Sequence, residues 1–286
     1  MKGNTMAIHM IGSRVPKGRP AGGWVDFVGL QDTPGSRGTA SVYTFKIPSR
    51  WRKVILLGIG VGGSSGAMSG YTAGGGGGGS VKVGVVLPPN DVLTIVVPKS
   101  CVANTNDATW NNYQAPPLLI QSAALGNLIA ATAGVNANTN TGGPGGIGTI
   151  YKNDFPVFAG GGFAGGTGMN YTGAYEGQSA APGGGYSGGG GGGAHGNLGG
   201  AHGGFQVSPA FINSISAAKQ ISGSSTWNKT LIGGNSWSSS PIQDPCFGGG
   251  SGGTNGNPYM PGRAFARIAW GLSNDGGQIV AANTGW

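Results

Sequence analysis

Hydrophobic and polar positions along the chain follow strand periods in several short stretches. Val42–Ile47, "VYTFKI", alternates and stops at Pro48. Residues 53–61, "KVILLGIGV", form an almost unbroken apolar run, the pattern of a strand buried on both faces. "SVKVGVVL" (80–87) reaches Pro88-Pro89-Asn90-Asp91, which is strong turn chemistry, and "DVLTIVVP" (91–98) alternates back. Residues 80–98 are therefore expected to form a β-hairpin. In "PLLIQSAALGNLIAATAG" (117–134), Gly126-Asn127 breaks a helical reading and predicts two short strands. "RAFARIAWG" (263–271) sets Ala264, Ala266, Ile268 and Trp270 against Phe265, Arg267 and Ala269, as expected of a closing strand. One helix is predicted, over 208–221, with Ser208 as its cap and Pro209 in its first turn.

Between these stretches lie five glycine blocks, at 58–79, 142–148, 160–168, 183–204 and 248–256. Glycine supplies 64 of 286 residues, and only 8% of residues are charged. Disordered chains are instead rich in charge and poor in large apolar residues. Glycine runs are commonly flexible linkers, and ordering Gly74–Gly79 alone costs roughly 6–12 kcal/mol of backbone entropy. A packed alternative exists. Extended three-residue-per-turn glycine helices can lie side by side, each amide bonded to a neighbouring carbonyl and each Cα–H directed at an oxygen. Length favours packing: Gly183–Gly204, if straight, would span about 68 Å. A compact chain of this size is about 50 Å across, so the tract must reverse, most naturally at "HGNLGG" (195–200). The expected fold is mostly β, with glycine-rich polyglycine II helices packed between or beside strands and very little α-helix.

Charge is concentrated at the front. Lys2, Arg14, Lys17, Arg19, Arg37, Lys46, Arg50, Arg52 and Lys53 face only Asp26 and Asp32 in the first 53 residues. The remainder is nearly neutral, with seven bases against six acids. Downstream aromatic residues lack the basic companions of a nucleic-acid groove, so no nucleic-acid partner is expected. Arg14, Lys17, Arg19, Arg37, Arg50, Arg52 and Lys53 are candidates for docking an acidic protein; a merely solvated basic surface is the alternative. The opening residues lack a signal-peptide core, and no apolar run approaches membrane-helix length, so synthesis in a cytosol without membrane insertion is expected. Cys101 and Cys246 allow one disulfide but equally two thiols.

Chemical motifs are weak. "GIGVGG" (58–63) matches a dinucleotide-binding pattern but is followed by sequence that cannot form the required helix. "GYSGG" (185–189) lacks the strand and helix of a nucleophile elbow. His195 and His202 recur in "GAHG" repeats without a neighbouring cysteine or carboxylate, and Glu176 is the lone glutamate. The chain is expected not to be an enzyme and to need no cofactor or metal. Trp110, Tyr113, Tyr171, Tyr175, Tyr186, Trp227, Trp237 and Tyr259 sit outside the strands among Asn, Ser, Thr and Gly. Aromatics with small polar neighbours suit a recognition surface, and these eight are the candidate receptor-binding residues. The alternative is that each caps the glycine packing.

"SVYTFKIPSRWRKVILLGIGVGG" resembles the opening of a phage-encoded glycine-rich domain, with "NDVLTIVVP" similar to its next strand and "ARIAWG" to its closing one. Glycine blocks between aromatic segments resemble the tail-fibre adhesins of T-even-type phages. The resemblance covers roughly 41–271 and implies polyglycine II packing with loops that meet a host receptor. Residues 1–40 match no adhesin attachment domain and are read from their charge as a basic docking segment, ahead of the glycine-rich domain at 41–271 with its aromatic loops and a tail at 272–286. The resemblance implies a virion protein at the tail or fibre tip, docked to other virion proteins and recognising an outer-membrane protein or glycan. A capsid or tail decoration protein without a receptor is the alternative; an ice-binding polyglycine protein is more distant.

Overall fold

The computed structural model describes residues 23–30, 32, 37–47, 52–65, 73–100, 108–138, 140–151, 157–168, 170, 247–251 and 261–270. Among these residues ten strands form two five-stranded antiparallel sheets. In chain order they are β1 (Gly23–Val28), β2 (Ala40–Lys46), β3 (Lys53–Ile59), β4 (Ser80–Val86) and β5 (Val92–Pro98). They continue with β6 (Leu118–Ser122), β7 (Gly126–Ala131), β8 (Gly148–Ile150), β9 (Val157–Phe163) and β10 (Phe265–Trp270). One sheet has the order β1-β10-β3-β4-β9 and the other β2-β5-β6-β7-β8. The helical element among the described residues is a single 3-10 turn, Ala108–Trp110; the helix expected at 208–221 lies outside them.

The sheets pack face to face, as alternating strands with one apolar face each must. Val54, Leu56, Val81, Val83 and Val85 of one sheet meet Leu93, Ile95, Leu118, Ile120 and Ile129 of the other in one buried cluster. β3 is buried on both faces, as its unbroken apolar run predicts: Ile55, Leu57 and Ile59 pack outward against Phe247 and Phe265. Rings close the side where β1 and β10 approach β2, through Phe27 against Tyr43 and Phe45 against Trp270.

The expected hairpin at 80–98 is not one. β4 pairs with β3 and β9, whereas β5 pairs with β2 and β6. The turn at Pro88–Asp91 reverses the chain but carries it from one sheet to the other, so the inward valines of β4 and the inward residues of β5 oppose each other across the core. The strands expected around Gly126 do form a hairpin, β6–β7, with Gly126 at φ 75°. Asp91 fastens that hairpin's turn: its carboxylate accepts from the Ser122 hydroxyl at 2.6 Å, and Ser122 Oγ accepts the Leu125 amide at 2.8 Å.

Three strands are additional to the sequence pattern. β1 lies within the segment 1–40 read as a docking arm, yet it pairs along its full length with β10. β8 is three residues long, and β9 contains Gly160–Gly162, which counted as part of a glycine block.

Candidate functional site

The registers sort all strand ends into two poles. Val28, Ala40, Ile59, Ser80, Pro98, Leu118, Ala131, Gly148, Phe163 and Phe265 end at one; Gly23, Lys46, Lys53, Val86, Val92, Ser122, Gly126, Ile150, Val157 and Trp270 end at the other. At the first pole five stretches of chain leave the sandwich and return to it, and three of them carry the glycine blocks: 60–79 between β3 and β4, 132–147 between β7 and β8, and 164–264 between β9 and β10. Their glycine-rich parts meet there.

Gly74–Gly79 is the centre of this assembly, and its partners repeat every three residues. Gly75 and Gly78 donate to the Ser251 and Gly248 carbonyls at 2.9 and 2.6 Å. Gly76 and Gly79 donate to Val135 and Thr132, both at 3.0 Å, and Gly77 to Gly166 at 2.7 Å. On the carbonyl side, Gly74 and Gly77 accept from Gly143 and Gly146 at 3.0 and 2.8 Å, while Gly76 and Gly79 accept from Gly63 and Gly60 at 2.7 and 2.8 Å. One segment is thus bonded to five others drawn from all three excursions. A β-ladder uses two directions and repeats every two residues, so this is a different kind of packing. Bonds also run between the outer segments, such as Gly134 to Val61 at 2.8 Å and Gly165 to Gly146 at 2.8 Å.

Such contacts require the absence of side chains. A methyl group at Gly76 would lie 1.9 Å from the Pro144 carbonyl oxygen, and one at Gly75 would lie 2.0 Å from that of Gly63. Gly134, Gly143, Gly165 and Gly250 would each place one at 2.0 Å or less from another backbone oxygen. The glycine tracts described are therefore framework. The largest tract, Gly183–Gly204, lies outside the described residues.

Beside this framework the candidate aromatics Trp110 and Tyr113 form one cluster. Trp110 is 1% exposed, which corrects its expected place as an outward-facing loop residue. Its ring packs against Tyr113, with centroids 5.1 Å apart, and the Arg37 guanidinium lies 4.5 Å from its centroid. Arg37 also donates to the Thr109 hydroxyl, and the Tyr113 hydroxyl accepts the Gly38 amide at 2.8 Å. Asn136 ties the turn to the glycine framework. Its side chain accepts the Ser64 amide at 2.8 Å and donates to the Trp110 carbonyl at 3.2 Å, and its own amide donates to the Tyr113 carbonyl at 2.8 Å. Trp110 thus caps the framework. Nothing in the small-residue run around Asn136 marks it as this latch.

The candidate docking residues divide between the poles. Arg52 and Lys53 are exposed at the sandwich pole, together with Lys46. Arg37 belongs instead to the framework pole, engaged with Trp110. Arg14, Lys17, Arg19 and Arg50 lie outside the described residues, as do Tyr171, Tyr175, Tyr186, Trp227, Trp237 and Tyr259. The last six are nevertheless bracketed in the chain by framework segments: residues 171–246 run between Asn170 and Phe247, and 252–260 between Ser251 and Pro261.

Two further cations are buried on the outer face of the first sheet. Arg267 is 2% exposed; its Nε and Nη2 donate to Asp26 Oδ1 and Oδ2 at 2.5 and 2.7 Å. Lys82 is 4% exposed, and burial lowers its pKa from 10.5 to about 7. Among the described residues no three His, Cys, Asp or Glu side chains gather into a metal-binding group, and no helix is long and apolar enough to cross a membrane. His195, His202, Cys101, Cys246 and Glu176 lie outside them. The described site can hold neighbouring chain segments rigidly and present what they connect.

No protein-family model and no curated protein matches this chain.

Proposed function

We propose that the chain is a phage virion structural protein at the tail or fibre tip, acting as an adhesin that recognises a component of the bacterial surface. The observation that carries this reading is the convergence of three excursions into one glycine framework at a single pole. A scaffold with so few side chains offers little chemistry of its own; its product is the fixed placement of the segments it joins. Six aromatic candidates, Tyr171, Tyr175, Tyr186, Trp227, Trp237 and Tyr259, belong to the third excursion, whose flanks are both anchored there. Their neighbours are Asn, Ser, Thr and Gly, the adaptable polar companions typical of recognition loops.

We further read the framework as a bundle of polyglycine II helices. The three-residue repeat of partners along Gly74–Gly79 matches a helix of three residues per turn with outward-facing backbone groups. None of these six glycines has a positive φ. The helices run antiparallel where Gly75 and Gly78 meet Ser251 and Gly248, and parallel where Gly74 and Gly77 meet Gly143 and Gly146.

Binding of the purified, labelled protein to susceptible bacteria tests the function. Wild-type protein should bind saturably, and Tyr171→Ala/Tyr175→Ala/Tyr186→Ala should lose at least about tenfold in affinity, since aromatic anchors dominate such surfaces. Full retention by that variant overturns the loop assignment. A folded wild-type protein that binds no cells overturns the adhesin reading and leaves the decoration protein.

A further inference from the structure

β2 is the end strand of its sheet, bonded to β5 and to no other described strand. Bonds at its two ends fix which of its groups point where. The Lys99 amide donates to the Thr39 carbonyl and the Ile47 amide to the Asp91 carbonyl, both at 3.1 Å. Antiparallel pairing alternates between those points, so Ser41, Tyr43 and Phe45 direct their amides and carbonyls at β5. Ala40, Val42, Thr44 and Lys46 direct theirs the other way, to the open edge of the sheet. That edge is exposed at its middle: Val42 is 64% exposed, the highest value of any large hydrophobic residue described, and Thr44 and Lys46 are exposed beside it. The far flank of the sandwich is closed, because Ile147 bridges Ala164 beside the ends of β8 and β9. On the open flank the Phe27 ring lies 5.4 Å from that of Tyr43, which sets β1, the end strand of the other sheet, over the midpoint of β2. Edge strands are normally blunted by a charge, a proline or a bulge. β2 pairs with β5 along its full length without a register shift, and its one charge, Lys46, sits at its end.

We infer that β2 is a self-association edge, pairing antiparallel with β2 of a second copy of this chain about a two-fold axis at Tyr43. Such an axis sets Val42 opposite Thr44 of the second copy and Lys46 opposite its Ala40, and the reciprocal contacts repeat both, as a two-fold interface requires. Every outward residue then meets an outward residue, so all four amides and all four carbonyls of each edge are paired. Sliding the register by two residues leaves Ala40 or Lys46 of each copy without a strand partner; this register alone uses the whole edge. The side chains fit a copy as well. Val42 and Thr44 are β-branched and make favourable cross-strand neighbours. Both stand on the outer face, where Thr94, Val96, Leu119 and Gln121 continue a half-exposed, uncharged surface. The two copies of Lys46 lie about 20 Å apart along the joined strands, more than two screening lengths of about 8 Å, so like charges are kept apart. Because β1 runs over the same point, its edge approaches its own copy and adds contact beyond a single strand pair. Antiparallel pairing directs the two framework poles to opposite ends of the dimer. The inference stands on β2 and not on the adhesin reading.

Analytical ultracentrifugation of the full-length protein at rising concentration tests this. Wild-type protein should pass from 28.2 kDa to twice that mass. Thr44→Pro should raise the dissociation constant at least about tenfold, because the Thr44 amide points outward: proline there removes one interface bond from each copy and none within the chain. Val42→Lys, which would set two ammonium groups about 7 Å apart across the axis, should weaken the dimer likewise without touching the backbone. Ile147→Lys, on the closed flank, should change it by less than about twofold. Amide exchange followed by NMR locates the contact. The Val42 and Thr44 amides should become protected as concentration rises, whereas that of Tyr43, already bonded to β5, should not change. Wild-type protein that stays monomeric up to its solubility limit overturns the inference. So does a dimer that both edge variants leave intact, one in which Val42 and Thr44 exchange as in the monomer, or a closed assembly of three or more copies. Cell binding by the tyrosine variant is read separately, so either proposal can fail while the other stands.

Discussion

At Gly76 the amide reaches the Val135 carbonyl, the carbonyl receives the Gly63 amide, and the Cα lies against Pro144 so closely that a methyl would sit 1.9 Å from its oxygen. The obstacle is backbone held from both sides, so no rotamer change relieves it. Gly76→Ala should therefore cost about 3 kcal/mol or more, the upper range for overpacking a tight interior. Gly126 supplies the contrast. Its φ of 75° strains any L-residue, but a methyl there meets nothing within 4 Å. Gly126→Ala should cost only about 1–2 kcal/mol, the left-handed penalty for an ordinary residue. Denaturant unfolding of the two variants measures the difference; equal losses would mean that glycine serves the framework through flexibility and not through close approach.

At the scale of elements, a single row crosses the first sheet on its outer face: Asp26, Arg267, Leu57, Lys82 and Gly161 lie in register on β1, β10, β3, β4 and β9. Arg267 is held in a buried place by the two-point bond to Asp26, with Trp24 and Phe265 beside its guanidinium. Lys82, two strands away, has its pKa lowered by burial to about 7. In the unfolded chain it titrates near 10.5, so between pH 7 and 10.5 the unfolded state binds more protons. Its contribution to stability is complete above about pH 10.5, and it is lost as pH falls to about 7 and below. The whole span is worth about 5 kcal/mol at most. Lys82→Met should flatten that rise and raise stability at neutral and acidic pH; a wild-type-minus-variant difference that does not change with pH would refute it. The lysine's depth is hidden in the sequence, because "VKVGVV" alternates like a strand with one wet face. Other elements were plainer. β2, β5 and β10 alternate, β3 is uniformly apolar, and Gly126-Asn127 divides β6 from β7, so each is visible. The Pro88–Asp91 turn announces a reversal, but turn chemistry does not fix the plane in which the chain reverses, hence the hairpin that is really a step between sheets. β9 is concealed because its glycines look like those of the framework, and Trp110 because polar neighbours suggested an exposed loop where Asn136 and Arg37 close over it.

At the scale of the molecule, the framework and the sandwich depend on each other. A lone glycine segment gains too little to offset its ordering entropy, and here most segments are delivered in place by a strand end, while 247–251 is tied to the approach to β10 through Gly248 to Arg263 at 3.0 Å and Gly262 to Gly249 at 2.7 Å. In return, Gly60 to Gly79 at 2.8 Å and Thr132 to Ile147 at 2.9 Å continue the pairings of β3 with β4 and β7 with β8 beyond the sandwich. Gly74–Gly79 cannot open alone, because its amides and carbonyls are shared among all three excursions; freeing it means releasing 60–65, 132–137, 142–146, 166 and 247–251 together. The two halves should accordingly unfold as one cooperative unit. Native-state hydrogen exchange resolves this by peptide. Amides of Gly75–Gly79 should exchange as slowly as those of Val54–Ile59 in β3, with both rates rising together as denaturant is added. A tethered linker would show near-random-coil exchange at Gly75–Gly79 while β3 remained protected, and that pattern would separate the framework from the fold. Matched protection would give the framework pole the rigidity of the sandwich core, which the proposed recognition surface needs if binding is not to incur the cost of ordering its own base.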